Sequence, residues 1–345
     1  MLPCATPFRE EMMLRFFLSS LFTLCFVSAS PAPSWAGPSD PLGLLPKDTR
    51  IVMHLNAHQA MSRPWVKAVV GKVAALPRVK HHLDAFVDQY GIDPLRAVGD
   101  LTIAFPDRSR TGLPLWVVKG EIDPKKVLAG AKKGSILKTR KRGGQRYYTA
   151  PDGTGLAFLR GHTLVGDRAV LERALTAAPK RHGPRNKAFR KLLKGTNQKA
   201  AMWFVGAISG DVRRQMGRRT PALRSLETVR GTADLTDGLD LHLVARLAPA
   251  DAKSLVARAQ AELEAQRGST MVKLSGLSLL IDRIQLRAEG KRVTLDLRLS
   301  NQEMTRLQAP LALFASVLVA GQMPPLPRKT PPPGRRIRRG EPKEK

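Results

Sequence analysis

Cysteine is nearly absent: the 345 residues hold only Cys4 and Cys25. Both precede residue 37, in a stretch that reads as a leader. The body of the chain therefore has no thiol for a disulfide, a nucleophile or a thiolate metal site. Its fold must rest on core burial, for which about 300 residues suffice. Aromatic residues make up only 5% of the chain, too few for an extended base-stacking surface. Acids are scarce as well, 28 Asp and Glu against 58 Lys and Arg, which gives a formal net charge of +30. Neither G-x-x-x-x-G-K-[ST] nor a strand-linked G-x-G-x-x-G occurs, so no nucleotide cofactor is expected.

Apolar runs are short, and the clearest lies near the start. Phe16 to Val27 (FFLSSLFTLCFV) follows Arg15. That is the length of a signal-peptide core and too short for a bilayer span. Ser34-Trp35-Ala36 places small residues where signal peptidase reads, so residues 1–36 are expected to be a signal peptide cut before Gly37, with cleavage after Ala29 as the second choice. Glu10 and Glu11 do not suit a positive n-region, and Met12 or Met13 is the expected true start. Leu24 before Cys25 argues against a lipid anchor. The expected location is periplasmic or extracellular, with no transmembrane span in the mature chain.

What is abundant is positive charge. Arg9 and Arg15 cancel Glu10 and Glu11, so the mature chain keeps the +30. Such a charge attracts polyanions; outside the cytoplasmic membrane these are anionic lipid, cell-wall polymer or another polyanion. A general Lys/Arg excess without any partner gives the same number. Three segments concentrate the charge. Residues 125–146 hold nine Lys/Arg and no acid, read as a helix end and a basic loop, with Tyr147-Tyr148 behind. Residues 180–199 form a basic connector. The tail from 323 to 345 is rich in Pro and Arg and is expected to be disordered. The anion-binding candidates are Lys132, Lys133, Arg140, Lys141 and Arg142, with Arg335, Arg336, Arg338 and Arg339 in the tail.

Between leader and tail, after a linker at 37–48, the pattern occurs twice. Residues 49–178 read as strand (TRIVMHLN), amphipathic helix broken at Pro77, two strands, a helix opened by Asp123-Pro124, short strands with Asp-Gly and Arg-Gly turns, and a closing helix. Residues 199–322 repeat the plan from AAMWFVGAI through Pro249-Ala250-Asp251 to a closing helix at about 302–320. The connector at 179–198 separates the copies. The expected fold class is α+β: two similar β-α-β-β-α-β-β-α halves, mostly antiparallel sheets, helices packed on one face.

Three segments carry a resemblance: Leu44-Leu45-Pro46-Lys47-Asp48-Thr49 through Leu55-Asn56, Leu115 to Lys126 (LWVVKGEIDPKK), and Leu156 to Leu175. On these the chain resembles a group of uncharacterised bacterial exported α+β proteins with an internal duplication. The resemblance spans most of the mature chain. It implies an extracytoplasmic α+β fold and transfers no catalytic residue.

No catalytic or metal constellation emerges. Ser135-Ile136-Leu137-Lys138 fits S-x-x-K, but its S-D-N and K-T-G partners are missing. His54 and His58 bracket a strand end, and His81-His82 diverge on a helix, so neither pair is a ligand set. Asp234, Asp237 and Asp240 read as a hairpin turn and not as a calcium loop. The segment Leu311 to Ala320 is too short to span a membrane and reads as a buried closing helix, with interfacial contact as the alternative. The expected function is a non-catalytic extracytoplasmic binding or envelope-associated protein. An unadvertised hydrolase with a cleft between the halves, or a nonspecific nucleic-acid binder, are the alternatives.

Overall fold

The structure is a computed structural model, and it describes residues 41–107, 113–134, 137–177, 183–269, 272 and 276–322. The leader, Ser135 and the tail arginines at 335, 336, 338 and 339 lie outside the described residues.

Strands β1 (Thr49–Asn56), β2 (Val98–Pro106), β3 (Leu115–Gly120), β4 (Lys138–Arg142), β5 (Gln145–Thr149), β6 (Thr154–Leu159) and β7 (His162–Asp167) come from the first half. Strands β8 (Met202–Ala207), β9 (Thr228–Asp234), β10 (Gly238–Arg246), β11 (Ile284–Glu289) and β12 (Arg292–Ser300) come from the second. All twelve form one sheet, ordered β11-β12-β10-β9-β8-β1-β2-β3-β7-β6-β5-β4. Each neighbouring pair is antiparallel. The α+β class with antiparallel pairing is thus borne out. The halves, however, are not separate sheets. β1 and β8 pair directly, Val52 opposite Val205 and Met53 opposite Phe204, so the seam between halves is a β-ladder.

The helices are α1 (Ala57–Met61), α2 (Pro64–Ala74), α3 (Pro77–Tyr90), α4 (Pro94–Ala97), α5 (Pro124–Gly134), α6 (Arg168–Ala177), α7 (Lys187–Lys194), α8 (Gly210–Arg219), α9 (Pro249–Gly268), α10 (Ser278–Arg283) and α11 (Asn301–Gln322). Their starts follow local chemistry. Pro64 and Pro77 sit in the first turn of α2 and α3, where a missing N–H costs nothing. Asn186 caps α7 by accepting from Phe189 N at 3.0 Å, and Asp167 accepts from Ala169 N at 2.8 Å to open α6. Gly91 ends α3 in the left-handed conformation, φ 63°.

Side-chain alternation along the strands assigns the faces. Met53, Leu55, Phe204, Leu297 and Leu299 point to one face and pack under α1, α2 and α11. Ile208, Leu226, Leu247 and Val293 extend that face under α9. Val52, Ala104, Leu115, Leu164 and Val205 point to the other face and pack under α6 and α7. The helices therefore cover both faces of the joined sheet and not one face as expected, because β1 and β8 carry apolar side chains on both sides. β8 is buried at every position, because both faces of this central strand are covered, and its continuous apolar run MWFVGA follows from that. At the β9–β12 end the second face is polar: Asp240 pairs with Arg298 at 3.2 Å and His242 Nδ1 lies 2.6 Å from Asp296 Oδ1.

Strand order from β1 outward (β1-β2-β3-β7-β6) parallels that from β8 outward (β8-β9-β10-β12-β11). The closing helices break the match, since α6 lies on one face and α11 on the other. A duplication of the halves therefore stands as a proposal drawn from topology alone.

Candidate anion-binding site

The segment read as a basic loop is an edge strand. β4 (KTRKR) pairs with β5, placing Arg140 opposite Tyr147 and Arg142 opposite Gln145. Gly143 and Gly144, at φ 57° and 76°, make the two-residue turn between them. A side chain at Gly143 would meet the Leu175 carbonyl of α6 at 2.9 Å, so the turn sits against that helix. β4 holds no apolar side chain. It is a strand because β5 offers its ladder, which propensity and pattern in the segment alone do not announce.

Tyr147 is buried, and its face of the sheet is the one α6 covers. Register puts Arg140 and Arg142 on that same face. Tyr147 Oη donates to Glu172 Oε1, and Arg168 Nε donates to the same oxygen at 2.8 Å. Burial and the Glu172 bond push the Tyr147 phenol above its ordinary pKa. For Glu172 burial opposes ionisation, but the bonds from Tyr147 and Arg168 outweigh it and hold the carboxyl below its ordinary value. Glu172 is thus an occupied carboxylate.

Around this pair opens a cleft of about 400 Å³, lined by Thr139, Arg140, Lys141, Arg142, Tyr147, Arg168 and Glu172. Arg140 and Arg142 share this face with Arg168 and with one carboxylate that Arg168 already pairs, while Lys141, between them on β4, borders the cleft with its side chain on the opposite face. Arg140 Nε reaches only Thr149 Oγ1 at 3.3 Å, and Arg142 and Lys141 have no ion pair among the described residues. Such an arrangement offers guanidinium forks to a phosphate or carboxylate.

Three sequence candidates, Arg140, Lys141 and Arg142, are therefore brought together. Lys132 is exposed on α5, which packs against α3, and it does not line the cleft. Lys133 belongs to α5, and its side chain lies outside the described set. Sequence reading missed Arg168, Glu172 and Tyr147 as cleft residues. The signal for the first two was present: Arg168 and Glu172 are four apart in a helix, the spacing of an ion pair.

The other candidates resolve into structural roles. His54 Nδ1 lies 2.9 Å from Thr102 Oγ1, and its ring stacks on Trp203. His81 and His82 meet edge-on on α3. Asp234 accepts Thr236 N–H at 2.8 Å in the β9–β10 turn while Asp240 pairs with Arg298. Among the described residues no three His, Cys, Asp or Glu side chains gather as metal ligands. No helix among them is long and apolar enough to cross a membrane.

No protein family and no curated relative matches the chain. Solved structures do. Crystal form I of the Treponema protein TP0453 matches at 12% identity and TM-score 0.44, over 81% of this chain and 99% of that one. Crystal form III matches at 11% identity and TM-score 0.46, over 79% and 98%. These are distant likenesses of fold, and nothing about function is taken from them.

Proposed function

We propose that this chain is a non-catalytic extracytoplasmic binding protein that meets anionic surface or polymer through the cationic edge of its sheet, aided by its basic tail. One observation carries the reading: Arg140 and Arg142 project from an edge strand on the same face as Arg168, Lys141 borders the same cleft, and the one carboxylate lining it among the described residues is already paired. The +30 charge supplies long-range attraction toward a polyanion. The leader at 1–36 supports export to where such surfaces are exposed. Against catalysis stands the chemistry of Glu172, which with a lowered pKa and two donors on one oxygen makes a weak general base. The alternative of a hydrolase cleft between the halves meets a continuous β-ladder at that seam.

The test is co-sedimentation of the full mature chain with phosphatidylglycerol vesicles, phosphatidylcholine vesicles serving as reference. Binding to the anionic vesicles should vanish as salt rises. Arg140→Gln/Arg142→Gln should bind roughly 30-fold more weakly, from about 1 kcal/mol per cation near an anionic surface. No retention at low salt, or equal retention of the variant, would overturn the reading. Fractionation of cells for the chain lacking residues 1–36 tests export.

A further inference from the structure

A second cavity lies far from the basic edge in sequence and opposite in character. It holds about 160 Å³ and is lined by apolar side chains from four strands and three helices, among them Val69, Phe204, Ala233, Leu241, Leu297 and Met304. Well-packed interiors rarely leave so much space. Leu239, Leu241 and Leu280 line it and are only half-buried, so the lining reaches the surface.

Two buried polar atoms at the start of α2, one of them on a residue that lines the cavity, lack hydrogen-bond partners. Trp65 lines the cavity and is 8% exposed, yet its indole Nε1 is buried without a hydrogen-bond partner. Arg63 Nε is likewise buried and unpartnered, while Arg63 Nη1 reaches Thr236 O at 3.3 Å. Thr236 sits in the β9–β10 turn between Leu235 and Leu239, both lining residues. The acid of that turn, Asp234, accepts from Thr236 N at 2.8 Å and also feels the Arg63 charge, which helps hold its carboxyl below its ordinary value, so Arg63 is partly compensated and Trp65 Nε1 is the donor left wholly without an acceptor. Arg63 also precedes the first turn of α2, which has no side-chain cap, and a helix start of this kind favours a negative group. Buried donors without acceptors are rare and cost about 1–3 kcal/mol each.

We propose that this cavity is a binding site for a single-chain amphiphile with a carboxylate head: the tail fills the space between the sheet, α2 and α11, and the head accepts from Trp65 Nε1 and Arg63. The volume sets the tail. A void of roughly 150 Å³ takes a benzene-sized group, which corresponds to about six carbons of a chain. The site is independent of the cationic edge.

The probe is octanoate, below the concentration at which it forms micelles, titrated calorimetrically into the full mature chain. Octanol supplies the same tail without the charge, and acetate the head without the tail. Octanoate should bind saturably at one site, octanol about tenfold more weakly, and acetate not at all. Trp65→Phe keeps the ring and removes the donor. It should weaken octanoate about fivefold or more and octanol, whose neutral hydroxyl accepts the same N–H more weakly, by clearly less. Ala233→Leu, which extends into the void, should abolish binding of both while the thermal melt stays cooperative. If that variant does not fold, the Trp65→Phe comparison decides alone. No saturable octanoate binding by the natural chain, or equal effects of Trp65→Phe on both probes, would overturn the proposal. So would loss of octanoate binding in Arg140→Gln/Arg142→Gln, since it would place the carboxylate at the sheet edge.

Discussion

Phe189 tests whether the basic segment between the halves belongs to the fold. It lies on α7 among five Lys and Arg between 185 and 194, and it is fully buried. Its ring joins the cluster of Leu171, Trp203 and Val205, with α7 packed on β8. Phe189→Ala removes an apolar ring worth about 2–3 kcal/mol of transfer and leaves a void, for a total of about 3–5 kcal/mol. Against a typical stability of about 5–15 kcal/mol that is a large share. At roughly 2 °C per kcal/mol for a chain of this size, the melting temperature should drop by about 6–10 °C. Lys191→Ala, exposed on the same helix, should stay within about 0.5 kcal/mol of the natural chain. The assay is thermal unfolding by circular dichroism, with urea midpoints as a check. A Phe189→Ala melt that coincides with that of Lys191→Ala would refute the docking of α7 and the physical account of the second core.

Two further outcomes follow from particular contacts. Glu303 accepts from Ser300 N at 2.8 Å and from Arg283 Nη2 at 2.7 Å, and these bonds hold its pKa down to about 2. Its folded value lies below its unfolded one, so its contribution to stability is present above about pH 4.5 and is lost as pH falls through about 2; the gap between Glu303→Gln and the natural chain should be widest near neutrality and close over that window in acid unfolding curves. Gly120→Ala would set a Cβ 1.8 Å from the Ala97 carbonyl oxygen. Because the Cβ is fixed to the chain and the atom it meets is backbone, the strand must shift at a cost of about 3 kcal/mol or more, readable as a lowered urea midpoint, and a midpoint within error of the natural chain would contradict that close approach.

Much of the architecture was legible in residues. The strand TRIVMHLN, the helix break at Pro77 and the Asp123-Pro124 start all appear where local chemistry placed them. Several elements did not: α7 (Lys187–Lys194) lies inside the segment read as a basic connector, α1 (Ala57–Met61) is absent from the sequence reading, and two more show why. β4 has no apolar position to show a period of two, and α10 (SLLIDR) is an apolar run too short to separate helix from strand. The capping box of α11, Ser300 to Glu303, was written in the sequence as S-x-x-E, yet only the hydrogen bonds show both of its arms in use.

By itself the sequence determined the α+β class, the antiparallel pairing, the thiol-free body and its positive charge, because periodicity, turn residues and composition are local properties. Tertiary structure alone decided that β1 pairs with β8 to make one sheet, that Arg140 and Arg142 share a face with Arg168, and that Trp65 meets a void. Each of these depends on which strand edges and helix faces come together, and that is set by burial summed over distant segments and by no short stretch of residues.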